Sequence, residues 1–247
     1  MATQLTLINS LLVRLRESTV ATPTENSYSK LLAQFINDAK NDMEDTGHGW
    51  SAYITQVSDT ILADGSTTTY DITETNDRSY LMRYGGNQRL PMAFDATSGE
   101  NAQLYDIPYD KLIRDRDLDP NGVQAVDRPG EFAIVADADG RGWTIETRNP
   151  VTSGGTARTW ETWWYIPQDD LSTTSDTDSS TEILLPRRPI ELRALYYALE
   201  ERGEVLGPRS GVNAWQRSEL AIAAAIETDQ QVKKDWVTKI FTNDENI

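Results

Sequence analysis

The first 50 residues carry two stretches in which apolar side chains recur every three or four positions. From Leu5 to Leu15 this spacing is typical of an amphipathic helix. A second stripe extends from Tyr28 to Met43, and either Thr24 or Asn26 is available as its N-cap. Gly47 follows as a helix-ending residue. The pattern therefore predicts an antiparallel pair of helices at the start of the chain.

From about Ser51 the pattern changes to short runs rich in β-branched and aromatic residues. Turns that contain Gly, Asn and Asp separate these runs, and such residues tolerate the positive φ angles of tight turns. The alternation predicts an antiparallel β domain over residues 51–168. Its predicted strands lie in YITQVSDTIL, TTTYDI, YLMRY, GEFAIVAD, GWTIETR and TWETWWYIP.

The stretch DDLSTTSDTDSSTE follows the β domain and consists almost entirely of Ser, Thr and Asp. Such a composition buries too little apolar surface to order itself, so the sequence predicts a polar linker over residues 169–185. Two further helical patterns come after it. The first begins near Pro189 and ends at Gly203, and the second extends from about Asn213 to Trp236.

Together these patterns predict an α+β protein in which helices from both ends of the chain form one bundle. The N-terminal hairpin, residues 1–50, and the C-terminal helices, residues 186–247, then flank the inserted β domain along the sequence. The residues expected in the bundle core are Leu5, Ile8, Leu12, Leu31, Phe35, Leu195, Ala198 and Ile222.

Composition and charge exclude several classes of function. The 39 Asp and Glu residues outnumber the 23 Lys and Arg residues, and the resulting net charge of -16 disfavours binding to DNA through phosphate neutralisation. Residues 51–185 alone hold 10 basic and 23 acidic side chains, or -13. Without Cys there is no disulfide, thiolate zinc site or cysteine nucleophile. The polar residues in the N-terminal stretch predict neither a signal peptide nor a membrane span.

Candidate catalytic and metal-binding groups are few. An Asp-rich turn that starts at Asp117 follows the EF-hand calcium pattern, but its twelfth position is Arg128 instead of Glu. A second turn ends correctly at Glu146 but begins with Val135, so both are predicted to be plain turns. The single histidine, His48, lies past a helix end, and no nucleophile-elbow motif occurs. The sequence therefore predicts no enzyme, no metal site and no cofactor. The 39 acidic residues offer many possible carboxylate pairs, so an acidic hydrolase remains an alternative.

Two other features leave alternatives open. The aromatic run Trp160–Tyr165 is too dense for a strand with one face in water, which predicts a place between two layers or at a subunit contact. Its tryptophans could also stack on sugar rings, although core tryptophans are the commoner case. The doublets Arg187-Arg188 and Lys233-Lys234 are either solvated helix charges or a contact with an acidic partner.

The order of these segments and several short motifs resemble the head-to-tail adaptor, or connector, proteins of tailed bacteriophages. The resemblance spans nearly the whole chain as a layout. Its most specific pieces are RPIELRALYYALEERGE within residues 185–204, the WQRSELAIAAAI that follows, and Trp50 after the second helix. It implies a helical bundle from the two chain ends and a β insertion that faces outward or along the tail.

The resemblance also implies a structural virion protein at the head–tail junction, assembled in the host cytoplasm. Its expected partners are further copies in a ring, twelve in the family, the portal, a downstream tail or nozzle protein, and double-stranded DNA. The DNA would pass through the channel without sequence-specific binding, and negative charge suits that role because it repels phosphates. No membrane partner is expected. The alternative is a carbohydrate- or receptor-binding β module of a tail-associated protein.

The ring implied by the resemblance needs surfaces that meet neighbouring copies or the portal. The aromatic run and the polar C-terminal tail FTNDENI are the candidates. The residues expected to make these contacts are Trp160, Trp163, Trp164, Tyr165, Trp236 and Phe241.

Overall fold

The computed structural model describes most of the chain in two separate units. It describes residues 2–72, 75–82, 93–95, 102–103, 105–118, 124–126, 129–136, 142–204 and 210–242, with only the backbone described at 93–95, 102–103 and 232–242. Unit 1 consists of Met1–Ala52 and Gln168–Ile247, and unit 2 of Tyr53–Pro167. Both ends of the chain therefore belong to one unit, and the middle forms the other.

The described part of the chain contains five α-helices and one short 3-10 turn at Ser51–Tyr53. The helices are α1 (Gln4–Arg14), α2 (Ser27–Glu44), α3 (Tyr109–Asp117), α4 (Arg187–Glu201) and α5 (Gly211–Thr242). The described strands are β1 (Ala2–Thr3), β2 (Ile54–Ile61), β3 (Thr69–Ile72), β4 (Tyr80–Leu81), β5 (Ala93–Asp95), β6 (Ala102–Gln103), β7 (Tyr105–Asp106), β8 (Glu131–Ala136), β9 (Trp143–Thr147), β10 (Arg158–Tyr165) and β11 (Glu182–Ile183). The protein is therefore α+β, as the sequence predicts.

Polar caps fix where the first two helices begin. The Thr3 hydroxyl accepts a hydrogen bond from the Thr6 backbone N–H at 3.2 Å, which caps α1. For α2, Asn26 rather than Thr24 is the N-cap, and it forms a reciprocal capping box with Ser29. In α4, Pro189 lies in the first turn, where its missing N–H removes no helical hydrogen bond.

The buried face of the helices in unit 1 differs slightly from the predicted one. Half of the predicted core residues are buried, but the remainder are only half-buried. On α2, Leu32 and Ile36 are buried, one position along from the predicted Leu31 and Phe35, and Met43 at the end of the helix is buried as well. The buried members of the predicted set are Ile8, Leu12, Ala198 and Ile222, and the half-buried members are Leu5, Leu31, Phe35 and Leu195.

Helix α4 contacts each of the other helices of unit 1 through polar side chains. The Ser10 hydroxyl of α1 donates to Glu191, and the Tyr197 hydroxyl donates to Asp42 of α2. Arg193 is 4 % exposed and forms an ion pair with Glu219 of α5. Buried charged groups of this kind need partners with good geometry, so these contacts restrict how the four helices can pack. The side-chain hydroxyl of Tyr197 has a raised pKa because of its burial and its hydrogen bond to Asp42.

The polar segment between β10 and α4 is an ordered part of unit 1, so the expectation that it lacks order is wrong. Leu171 in this segment is buried, at 5 % exposure. The Asn37 side chain of α2 donates to the Leu171 carbonyl at 2.8 Å and accepts from the Leu171 N–H at 3.1 Å. The prediction from composition considered only how much apolar surface the segment can bury. Here a side-chain amide forms the hydrogen bonds that the backbone of the segment needs.

Two further anchors hold the same segment. The fully buried Lys40 ammonium donates to the Gln168 carbonyl at 2.6 Å and lies 3.2 Å from Asp170. The Asp176 carboxylate accepts from both the hydroxyl and the N–H of Thr24, at 2.7 and 3.1 Å. The hydrogen bond from the Thr24 hydroxyl holds the pKa of Asp176 below its ordinary value.

These anchors change where the negative charge lies. The segment brings five acidic residues into unit 1, namely Asp169, Asp170, Asp176, Asp178 and Glu182. Unit 1 then holds 13 basic and 21 acidic residues, and unit 2 holds 10 and 18, which gives -8 for each unit. The excess acidity is therefore shared by both units and is not a property of the β region alone.

Unit 2 is built on two sheets. In the first, β10 pairs along its whole length with β2, from Arg158 opposite Ile61 to Tyr165 opposite Ile54, and on its other edge with β4 and β5. Strand β6 pairs antiparallel with β5 at the edge of this sheet. In the second sheet the order is β3-β9-β8-β7. Among the described strands of unit 2, pairing is antiparallel except between β7 and β8, which are parallel because α3 carries the chain across between them.

An aromatic and aliphatic core fills unit 2. Phe132 and Ile145 of the second sheet and Trp160 and Trp164 of β10 have 1 % exposure or less, and all belong to one buried cluster. On the helical side, Leu112 of α3 packs with Ile107 and Ala133. Fully burying large apolar side chains contributes about 1.5–3 kcal/mol each, so this cluster dominates the stability of unit 2.

Candidate functional site

The aromatic run on β10 supplies core residues more than surface residues. Trp160 and Trp164 are 1 % and 0 % exposed, and Tyr165 is 7 % exposed. A side chain with no accessible surface can neither meet a neighbouring subunit nor stack on a sugar, which corrects the prediction for Trp160 and Trp164. Trp163 points to the opposite face of the strand and is half-buried. Tyr165 stacks on Tyr80 at 4.8 Å between ring centroids.

The two remaining aromatic residues expected at contacts fall on the C-terminal helix. Trp236 and Phe241 belong to α5, but their side chains lie outside the described part of the structure. Their predicted role in contacts stays a prediction.

The single histidine lies in a small polar cluster of unit 1. His48 Nε2 is 2.8 Å from Asp229 Oδ2 of α5, and the same carboxylate accepts from the N–H and hydroxyl of Ser51. A serine–histidine–aspartate triad requires the serine hydroxyl to bond to the imidazole, but here both groups bond to the carboxylate. The His48 ring also meets Trp50 edge-on at 4.7 Å. The cluster anchors the loop after α2 to α5.

Neither metal nor membrane sites emerge from the described residues. No group of three or more His, Asp or Glu side chains in the described ranges is placed to hold a metal ion. The two Asp-rich turns fall partly at residues 119–123, 127–128 and 137–141, outside the described residues. Within the part of the chain that is described, no helix has both the length and the apolar character required to cross a membrane.

The most distinctive surface of unit 1 is a groove lined by arginines, here named the arginine groove. It consists of two cavities of about 460 and 540 Å³ that share Arg14, Leu192 and Arg217. Six arginines and two glutamates, Glu191 and Glu204, contribute to its walls, which gives a formal charge of +4. The arginines are Arg14, Arg16, Arg187, Arg188, Arg202 and Arg217.

Apolar side chains form the floor of the arginine groove. Leu15 comes from the end of α1, and Leu192, Leu195 and Leu199 lie along α4. The first turns of α5 close the groove with Asn213 and Ala214. The groove therefore offers cationic groups above an apolar surface, a combination suited to a ligand that carries carboxylates and apolar side chains together.

Two helices end at this groove in the same hydrogen-bonding pattern but with different residues. In α4, the Glu204 N–H donates to the Leu199 carbonyl, and Gly203 takes the left-handed position with φ of 72°. In α1, the Glu17 N–H donates to the Leu12 carbonyl, and Arg16 takes that position with φ of 62°. A side chain is disfavoured there by about 1 kcal/mol, so Arg16 is a local strain that brings a guanidinium to the groove.

The six arginines differ in how fully they are neutralised. Arg14 and Arg187 both pair with Glu191, at 3.0 and 3.4 Å. Among described residues, Arg16, Arg188 and Arg217 have no carboxylate within 4.0 Å. Exposed cations with no carboxylate partner among the described residues are available to an external anionic group.

Arg202 is held in place from three sides. Its guanidinium donates to the Tyr28 hydroxyl at 2.8 Å, to the Leu15 carbonyl at 3.2 Å and to Glu17 at 2.7 Å. Burial opposes its charge, but the hydrogen bonds to Tyr28 and Glu17 outweigh burial and raise the pKa of Arg202. Burial raises the pKa of Tyr28. Arg202 thus acts as a fixed wall of the groove.

Only part of this groove was predictable from sequence. The doublet Arg187-Arg188 is visible as a possible contact with an acidic partner, and Arg188 does line the groove. Arg14, Arg16 and Arg217 are isolated in sequence and carry no motif. These arginines come close together only when α1, α4 and α5 pack against one another.

Comparison with models of known protein families gives no match, and comparison with curated proteins gives none either. The groove and the fold are therefore the basis on which function can be argued.

Proposed function

We propose that this protein is a structural adaptor of a bacteriophage virion. In this proposal it forms a ring at the head–tail junction, links the portal to the next tail component and surrounds the DNA channel. It acts through its surfaces and catalyses no reaction. The helices α1, α2, α4 and α5 then form the bundle, and unit 2 is the β insertion.

The observation that carries this proposal is the place of α4 in unit 1. The residues of α4 supply most of RPIELRALYYALEERGE, the most specific piece of the resemblance. Its polar side chains bond to α1 and α2 from the start of the chain and to α5 from the end, through Glu191, Tyr197 and Arg193. In an adaptor of this layout, the helices from the two ends of the chain have to pack into one bundle, and α4 makes the contacts that connect them.

Two other observations agree with a role in binding. The arginine groove is a basic, apolar-floored surface on an acidic protein, which suits docking onto another subunit. The polar cluster at His48 joins a loop to a helix and lacks the geometry of a nucleophilic site. Burial of Trp160 and Trp164 also leaves Trp163 as the one accessible tryptophan of the three on which a carbohydrate-binding function rested, which disfavours that alternative.

The test is assembly of the full-length protein with the portal protein of the same phage. Sedimentation velocity measures its mass alone and with portal rings, and negative-stain microscopy images the products. We expect rings with a central opening seated on the portal. A protein that stays monomeric and ignores portal rings at micromolar concentration contradicts the proposal.

The matched control is Arg114→Glu, which reverses an exposed charge on α3 of unit 2, far in sequence from the arginine groove. It should assemble as the unaltered protein does. Arg188→Glu is the corresponding change in the groove and should weaken assembly.

A further inference from the structure

We propose that the arginine groove binds the C-terminal segment of a second copy of this chain, residues 240–247 (IFTNDENI). This inference deepens the ring of the proposed function and rests on it. It names both surfaces of the contact, a groove at the start of α5 and a segment at its end.

Charge is the first argument for this occupant. Two copies with a net charge of -16 each repel one another overall, so a stable contact between them requires a locally basic surface. The groove carries +4. Among the described residues, the nearby carboxylates pair with other arginines and not with Arg188 or Arg217. The segment carries Asp244 and Glu245 and no cation.

The apolar character of both surfaces is the second argument. The segment contains Ile240, Phe241 and Ile247 beside its carboxylates. The groove has a floor of leucines beneath its guanidinium groups. Arginine can bind a carboxylate with two parallel hydrogen bonds, so an acidic segment with apolar neighbours matches the groove in both respects.

The length of α5 requires that the segment come from another copy. Helix α5 begins beside the groove and is 32 residues long, which corresponds to about 48 Å at 1.5 Å per residue. The five residues after Thr242 span at most about 18 Å when fully extended. A copy therefore cannot place its own C-terminal segment in its own groove.

The contact has a defined symmetry. The groove and the segment are different surfaces at opposite ends of one helix, so each copy offers its groove to one neighbour and its segment to another. Such a heterologous contact closes into a ring when the rotation between copies is a fraction of a full turn. The contact is electrostatic in part, so it should weaken as salt increases.

The first experiment is a binding titration on the full-length protein. A fluorescein-labelled IFTNDENI peptide is added, and anisotropy is recorded as protein concentration rises. We expect saturable binding that weakens roughly tenfold in the Arg188→Glu/Arg217→Glu variant. Both side chains are exposed, and an unchanged melting curve verifies folding. A peptide in which Asp244 and Glu245 are replaced by Lys should not bind. Absence of saturation at millimolar protein, or equal affinity for both peptides, overturns the inference.

The second experiment exchanges charges between copies. One variant carries Arg188→Glu and Arg217→Glu, and the other carries Asp244→Lys and Glu245→Lys. Each alone should lose self-association, while an equal mixture should pair because the acidic groove of one meets the basic segment of the other. Sedimentation of the mixture as separate monomers overturns the inference. Arg114→Glu, the control on α3, should associate as the unaltered protein does.

The two proposals fail in different ways. If the Asp244→Lys/Glu245→Lys variant still forms unaltered rings on the portal, the segment is not the occupant and the adaptor function stands. If that variant keeps portal binding and the groove variant loses it, the occupant is the portal, which overturns the inference. If the peptide titration and the charge-exchange experiment give the expected results but the protein does not bind portal rings, the contact between copies is supported and the adaptor function is refuted.

Discussion

The interiors of the two units are held by different kinds of contact. Unit 1 buries charged and amide groups, among them Lys40, Glu191 and Arg193, each bonded to a segment far away in the sequence. Unit 2 buries an almost purely apolar cluster between its sheets, in which Trp160 and Trp164 are the largest members. Polar pairs in unit 1 select one arrangement of helices, while unit 2 gains most from apolar area.

This difference predicts which substitutions destabilise each unit. Apolar contacts are non-directional, so unit 2 should lose stability in proportion to the volume removed. A buried polar group loses stability when its partner is removed, because the remaining group is left without a bond. Four predictions test the comparison, in order from the largest expected effect to the smallest.

The largest effect is expected from Trp164→Ala in unit 2. Removing a fully buried indole leaves a cavity and should lower the free energy of unfolding by about 3–5 kcal/mol. Trp163→Ala on the other face of β10, where the side chain is half-buried, should cost clearly less. Urea unfolding followed by circular dichroism measures both. Equal losses at the two positions contradict the placement of Trp164 in the core.

A smaller effect is expected from Lys40→Met in unit 1. The substitution keeps the apolar stem of the side chain but removes the ammonium group that bonds to the Gln168 carbonyl, Asp170 and Glu44, at a cost of about 2–3 kcal/mol. Lys30→Met, an exposed position on the same helix, is the control and should change stability by less than about 0.5 kcal/mol. If Lys40→Met is neutral or stabilising, apolar packing governs unit 1 as well, and the comparison fails.

The two helix ends at the arginine groove give a pair of changes with opposite sign. Gly203→Ala should destabilise by about 1 kcal/mol because φ is 72° and a side chain is strained there, although no atom within 4 Å blocks it. Arg16→Gly relieves the same strain and should stabilise by about 0.5–1 kcal/mol. Thermal unfolding of both variants gives the two signs. A loss of stability in Arg16→Gly would mean that the guanidinium makes a net stabilising contact.

The smallest effect concerns acid sensitivity at a turn of unit 2. Hydrogen bonds from the Thr67 hydroxyl and backbone lower the pKa of Asp64 to about 2 in the folded protein. Because this lies below the ordinary value of about 3.9, the turn adds stability above about pH 4 and loses it as pH falls towards 2. Carboxyl carbon NMR titration measures the shift. Thr67→Val removes the hydroxyl donor and should raise the pKa of Asp64, and an unchanged titration would refute that cause.

Four of the five described helices and six of the eleven described strands could be predicted from the sequence because their signals are local. The stripes of α1 and α2 and the alternating runs of β2, β8, β9 and β10 follow one period over several residues. Helix α3 could not be predicted in this way. Its nine residues are highly charged and bury only Leu112, so the sequence has too few apolar positions to reveal a period.

The arginine groove and the ordered segment before α4 could not be predicted from the sequence for a different reason. Arg14, Arg188 and Arg217 are separated by many residues, and their shared groove exists only after α1, α4 and α5 have packed. Leu171 is one apolar residue in a polar stretch, and its order depends on the Asn37 amide. Hydrogen bonds between polar residues that are far apart in the sequence have no fixed spacing, so they leave no periodic pattern from which they could be predicted.

The sequence by itself determined the kinds of elements, the α+β class and the overall acidity, because backbone propensity, side-chain period and charge are properties of short segments or of composition. The tertiary structure alone decided that the acidic excess is divided equally between the two units, at -8 each, and that six arginines meet above a leucine floor. Those facts depend on which distant segments pack together, and that choice is made by the free energy of the whole fold.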